Sequence, residues 1–233
     1  MTTLVLLPGL AGDAQMWQSQ LEALAYWHPV VTDVHARHAT MAQMASALLS
    51  EHAGDLVLCG ASMGGMLAME AVRQAPDRVA GLALLGTSAH PETPEMRQLR
   101  EAAIIVFEQG HLAEVIEPNV EMAFHPDHAR DKTLVDAYLE FVYRAGASQL
   151  VAQNRAVIAR PDARLHLPQV RCSTLVMCGD TDRLAPRVYS QEIAALVPGA
   201  QLVIVPHCGH MLTMEQPAFV NAALAQWLES LPL

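Results

Sequence analysis

The chain has 233 residues, 52% of them hydrophobic and 16% charged, with a formal net charge of −10. This composition excludes a mainly disordered chain, and the length suits a single core, with or without a modest insertion. The acidic balance argues against nucleic acid and anionic membranes as partners. No apolar run reaches the roughly 20 residues of a membrane helix, and the N-terminus lacks the basic region and long apolar run of a signal peptide. A cytoplasmic protein that does not engage membranes is therefore expected. Cys59, Cys172, Cys178 and Cys208 then read as small buried hydrophobes in a reducing compartment.

Short apolar runs alternate with helical patterns, the signature of an α/β fold with a largely parallel sheet. Thr3–Leu7 reads as a first strand, followed by the turn Pro8–Asp13 and a helical pattern over Ala14–Leu24. Val30–Val34 reads as a second strand and Thr40–Glu51 as an amphipathic helix. Asp55–Cys59 is a third strand, Met63–Gln74 a helix, and Val79–Leu85 a fourth strand. Ser173–Cys178 and Gln201–Val205 complete six strands, and Pro217–Leu231 closes the chain as a helix. Between the fourth and fifth strands no strand signal is seen. Glu95–Glu108, Lys132–Tyr143 and Ser148–Ile158 are helical in pattern, punctuated by proline. The expected organisation is a core of residues 1–88 and 172–233 with a helical cap insertion at 89–171.

The sharpest motif is Gly60-Ala61-Ser62-Met63-Gly64, a G-x-S-x-G that leaves a strand and opens a helix. At this composition the pattern arises by chance about 0.03 times. Such a turn strains the backbone of its serine and pushes the hydroxyl out above the sheet. A serine that merely caps the following helix is the plain alternative. A serine nucleophile needs a base, and the base needs a carboxylate to orient it, in the chain order Ser, acid, His. Two later strand ends offer these groups. Asp180 and Asp182 follow the fifth strand, and His207 and His210 follow the sixth; spacing does not choose within either pair. His207 and His210 also invite a metal reading, but the spacing is poor for zinc and no matching Cys/His pair is present. His125-Pro126-Asp127-His128 reads as a solvated turn.

Pro8-Gly9-Leu10-Ala11-Gly12 follows the first strand and offers backbone N–H groups. The amides of Leu10 and Met63 are the expected oxyanion hole. Phosphate-binding glycine motifs are absent, and no cofactor or metal is expected. Met122, Met211 and Leu212 are candidates to line an acyl pocket, whereas Met41, Met44, Met66 and Met69 fall at core spacing. His28, His35, His38 and His52 read as surface residues, as do Arg97, Arg100, Arg144, Arg155 and Arg160 in the insertion.

These segments resemble the α/β-hydrolase superfamily, in its single-core serine esterase and lactonase group. Leu7-Pro8-Gly9 stands where that family has its oxyanion loop, with Pro8 in place of the usual His. Ala75-Pro76-Asp77-Arg78-Val79, Gly179-x-x-Asp182 with Pro186, and Gly209-His210 with Glu215-x-Pro217 match further turns. The resemblance implies Asp182 as the acid, His210 as the base, and an N-terminally short fold of about six strands. It implies serine-dependent cleavage of a small ester, lactone or thioester. Acyl transfer on the same triad and a ligand-sensing protein of little turnover are the alternatives.

Overall fold

The computed structural model describes residues 2–232. Six strands form one parallel sheet: β1 (Thr3–Leu7), β2 (Val30–Val31), β3 (Leu56–Ala61), β4 (Val79–Leu85), β5 (Ser173–Gly179) and β6 (Gln201–Val205). Their order across the sheet is β2-β1-β3-β4-β5-β6. Each inner strand is apolar on both faces, because helices cover both sides of a parallel sheet. Alternate side chains therefore enter two separate cores. Leu4, Leu6, Val57, Cys59, Ala83 and Leu85 face the layer that contains Trp17, Leu224 and Trp227. Val5, Leu7, Leu56, Leu58, Leu82 and Leu84 face the layer that contains Met44, Leu48, Leu67 and Ile193.

The pairing register aligns the C-terminal ends of the strands. Leu7 pairs with Gly60, Ala61 with Leu85, Leu85 with Met177, and Gly179 with Val205. The turns beginning at Pro8, Ser62, Gly86, Asp180 and Pro206 thus share one edge. The chain order reverses between β1 and β3, and an open α/β sheet opens its crevice at such a point.

Several local expectations change. The second strand ends at Val31, and Val34–Arg37 is a helical turn instead of strand. β2 is an edge strand with β1 as its sole neighbour, so little pairing extends it. The turn brings His35 inward: it is 3% exposed, and its Nε2 lies 2.9 Å from the Gly12 carbonyl. His35 is therefore a buried residue, not a surface one. The first helix is a 3-10 turn, Ala14–Trp17, followed by α-helix over Gln18–Ala23. A helix at Arg187–Leu196, unmarked by the sequence patterns, buries Ser190 and Ile193.

Between β4 and β5 lie helices Pro94–Glu108, Leu112–Asn119 and Lys132–Ile158. The last is two helices meeting at Gly146, whose φ of 74° breaks the run. Arg100 and Arg160 leave the surface expected of them. They share the buried Glu92 carboxylate at 2.6 and 2.9 Å, with the Arg160 side chain 8% exposed. Burial works against the Glu92 charge, but the two guanidinium groups overcome it and hold its pKa down. Among the described residues no helix is long and apolar enough to cross a membrane.

Candidate active site

Ser62 stands between β3 and helix Met63–Gln74 with φ 53° and ψ −115°. A non-glycine residue at positive φ is strained, and several contacts hold it there. Its amide donates to the Leu85 carbonyl at 2.8 Å, and Thr87 Oγ1 donates to its carbonyl at 2.7 Å. The two motif glycines are explained by crowding. A Cβ at position 60 would sit 2.3 Å from the Gly64 carbonyl oxygen, and one at 64 would sit 2.0 Å from that of Leu7. The elbow can form only because both lack side chains. Ser62 makes no side-chain cap bond to the helix, so the plain capping role is not what the hydroxyl does.

The Ser62 hydroxyl lies 2.9 Å from His210 Nε2. On the other side of the ring, His210 Nδ1 lies 2.9 and 3.1 Å from the two carboxylate oxygens of Asp182. The Asp182 side chain is fully buried. Its Oδ1 also accepts the amides of Leu184 and Ala185. The pair passes over Gly86, where a Cβ would stand 3.2 Å from Asp182 Oδ2 and 3.4 Å from His210 Nδ1. Burial alone would lower the His210 pKa. The charge and hydrogen bond of Asp182, helped by the charge of Glu215, override this and raise it, against a smaller opposing push from Arg100.

Asp180 and His207 do different work. Asp180 accepts the backbone amides of His207 and Cys208 at 3.0 and 3.1 Å, tying the β5 turn to the β6 turn. Burial opposes its charge, yet those two amides keep its pKa low. His207 is exposed and at φ 48°. Burial raises the pKa of Cys59, Cys178 and Cys208, which leaves them as packing groups and not nucleophiles.

The loop after β1 lies against the serine: a Cβ on Gly9 would touch Ser62 Cβ at 3.3 Å. Its internal turn bond runs from Gly12 N to Gly9 O, which leaves the Leu10 N–H outside the turn. Met63 opens the helix after Ser62 and is buried. Met211 and Leu212 are buried beside His210, and Leu212 Cδ1 packs at Gly86 under the acid–base pair. Met122, by contrast, carries its side chain at the surface, 36% exposed and near Arg183.

Three contributors have no role assigned to them by the sequence patterns. The Gln153 side chain, fully buried, accepts the Ala11 amide at 2.8 Å and donates to the His35 carbonyl at 3.2 Å. The Ala123 carbonyl accepts the amides of His210 and Met211. Glu215 accepts the amides of Gly209 and Met211 on one oxygen and that of His125 on the other. A buried glutamine within an otherwise apolar helical face is the one signal that would have flagged Gln153.

A parallel sheet with a strained strand-to-helix serine joined to a histidine and a buried carboxylate is the architecture of an α/β hydrolase. A model of the Alpha/beta hydrolase family matches residues 4–223, and the chain belongs to that family. It is an enzyme of the hydrolase class. The chain is similar over 98% of its length, at 28% identity and a TM-score of 0.88, to a thermophilic esterase from Thermogutta terrifontis, 90% of which is covered. An enol-lactonase from Burkholderia xenovorans LB400 superposes with a TM-score of 0.85 at 20% identity, covering 99% of this chain and 92% of that one. RutD of Escherichia coli, whose name places it with the carbamate hydrolases, is 27% identical over 97% of this chain and 91% of its own length.

Proposed function

We propose that this chain cleaves a small carboxylic ester, lactone or thioester through Ser62, His210 and Asp182. The observation that carries the reading is the continuous run of contacts from the Ser62 hydroxyl through His210 to Asp182, each at 2.9 Å. Ser62 Oγ attacks the acyl carbon as its proton passes to His210 Nε2. Asp182 holds the proton on Nδ1 and stabilises the imidazolium. The amides of Leu10 and Met63 stabilise the oxyanion. His210 then protonates the leaving group, and the acyl-serine is released by water from which His210 takes a proton.

Residues 89–171 serve as a cap over the strand edge, with the core formed by 1–88 and 172–233. Its contacts with the histidine turn through Ala123 and with the oxyanion loop through Gln153 support that role. Met211 and Leu212 give the histidine side of the site an apolar flank, which favours an apolar acyl group; Met122, at the surface beside Arg183, is not part of that flank. The esterase from Thermogutta terrifontis, the enol-lactonase from Burkholderia xenovorans LB400 and the carbamate hydrolase assignment of RutD point to the same acyl chemistry. The test is turnover of p-nitrophenyl esters of two to eight carbons by wild type and Ser62→Ala. The expected outcome is a loss of about 10³-fold or more in kcat in the variant. A variant as active as wild type overturns the assignment.

A further inference from the structure

Beside the histidine turn, outside the Ser62–His210–Asp182 contacts, lies a second cluster of metal-binding side chains. His125, Asp127 and His207 each offer one ligand atom, and these atoms lie within 4.8 Å of one another. The rings of His125 and His207 pack edge to face with centroids 5.1 Å apart, and His128 lies 5.5 Å from His125. We infer that His125, Asp127 and His207 form a zinc site that clamps the insertion between β4 and β5 to the turn bearing His210.

The chemistry of the donors fits. Two imidazoles and a carboxylate suit Zn²⁺, which takes nitrogen and oxygen ligands at about 2.0–2.2 Å and can hold water in a fourth position. Tetrahedral ligands at those bond lengths stand roughly 3.4 Å apart. The Asp127 side chain is exposed, as is His207, so both are free to close the remaining distance of up to about 1.4 Å.

The backbone already holds the imidazole-bearing residues in place. The His207 amide is bound by Asp180 Oδ2 at 3.0 Å, and its carbonyl accepts Gln216 Nε2 at 3.1 Å. The His125 amide is bound by Glu215 Oε2 at 2.7 Å. Gly209 fits so closely against this segment that a Cβ there would lie 2.4 Å from the Phe124 carbonyl carbon. The Asp127 carboxylate already faces this ring, with Oδ2 3.7 Å from His125 Nδ1, and a metal on Nδ1 would replace the 3.2 Å hydrogen bond that this nitrogen accepts from the Asp127 amide. Two competitors are present: Arg130 stands 3.7 Å from Asp127, in a solvated pairing of little strength, and His128 Nδ1 is held by Glu215. A bound ion would join residues from the insertion to the loop three residues before His210, adding a cross-link to the bonds through Ala123.

The test is calorimetric titration of the chelator-stripped protein with ZnCl₂, with thermal unfolding recorded alongside. Wild type is compared with His125→Gln, His207→Asn, Asp127→Asn and the distant control His28→Asn. Asn is chosen at 207 and 28 because both residues occupy positive φ, which Asn tolerates. Circular dichroism of the metal-free variants verifies folding, and Asp127→Asn, on an exposed side chain, perturbs folding least. The expected result is one zinc per chain, a melting temperature raised by roughly 5 °C at a hundredfold excess over Kd, and affinity reduced at least tenfold in the three site variants but not in the control. No zinc binding by wild type, or binding unchanged in His207→Asn and Asp127→Asn, overturns the inference.

Discussion

The Ala11 amide donates a hydrogen bond of 2.8 Å to the Gln153 side chain, across 142 residues of sequence. Ala11 sits at φ 59°, in the loop proposed to supply an oxyanion donor. The insertion's longest helix thereby holds a strained turn of the core. Gln153→Leu keeps most of the volume but leaves the Ala11 N–H buried without an acceptor, at a cost of about 1–3 kcal/mol. The expected outcome is reduced stability in urea and a fall in kcat larger than any change in KM. Gln153→Glu retains the acceptor and is expected to recover part of kcat. Steady-state kinetics of the pair check this.

Asp180 and Asp182 separate by what they touch. Asp182→Asn removes the charge facing His210 and favours the wrong tautomer; kcat is expected to fall by about 10⁴-fold with the fold intact. Asp180→Asn loosens the amides of His207 and Cys208, so it is expected to lower stability by about 1–3 kcal/mol and leave kcat within roughly tenfold. Equal kinetic losses in the two variants would remove the distinction.

The pH dependence follows from the state of His210. In the proposed mechanism it must be neutral to accept the Ser62 proton, and Asp182 raises its pKa above the ordinary histidine value of 6.5. The profile of kcat/KM is therefore expected to rise with pH through a midpoint above 6.5 and to lose activity on the acid side. In Asp182→Asn the raising charge is gone and burial dominates, so the midpoint of the residual activity is expected to move down. A profile measured from pH 5 to 9 on both proteins decides it.

Glu215 organises the histidine turn without touching Ser62. Its buried carboxylate accepts the amides of Gly209, Met211 and His125. Glu215→Gln replaces one accepting oxygen with a donor and is expected to destabilise the protein by about 2–3 kcal/mol. kcat is expected to fall because His210 loses its orientation, with the temperature dependence of activity shifting accordingly. Chemical denaturation with parallel assays checks both effects.

Much of the fold is readable from local pattern. Strands buried on both faces must be continuous apolar runs, which is why Leu56–Cys59 and Leu82–Leu85 stand out. The apolar run through Val34 overextends the edge strand β2, and only the packing of His35 against Gly12 shows that the chain turns there. No pattern flags the helix Arg187–Leu196, and Arg100 and Arg160 read as solvent-facing because their shared partner Glu92 lies eight residues from one and 68 from the other, off the helical pair spacings.

The sequence by itself determined the alternation of strands and helices, the strained serine turn with its two small neighbours, and the strand ends that carry the acid and the histidine. Those features are short-range, since they depend on residue size, periodicity and turn chemistry within a few positions. Spacing leaves Asp180 and Asp182 open and the family resemblance implies Asp182; tertiary structure brings that side chain to His210. It also decided that Gln153 and the Ala123 carbonyl brace the loops around Ser62, and that Asp180 is spent on backbone amides. Each of these is a contact between segments far apart in sequence, set by sheet register and helix packing, which spacing and periodicity alone do not specify.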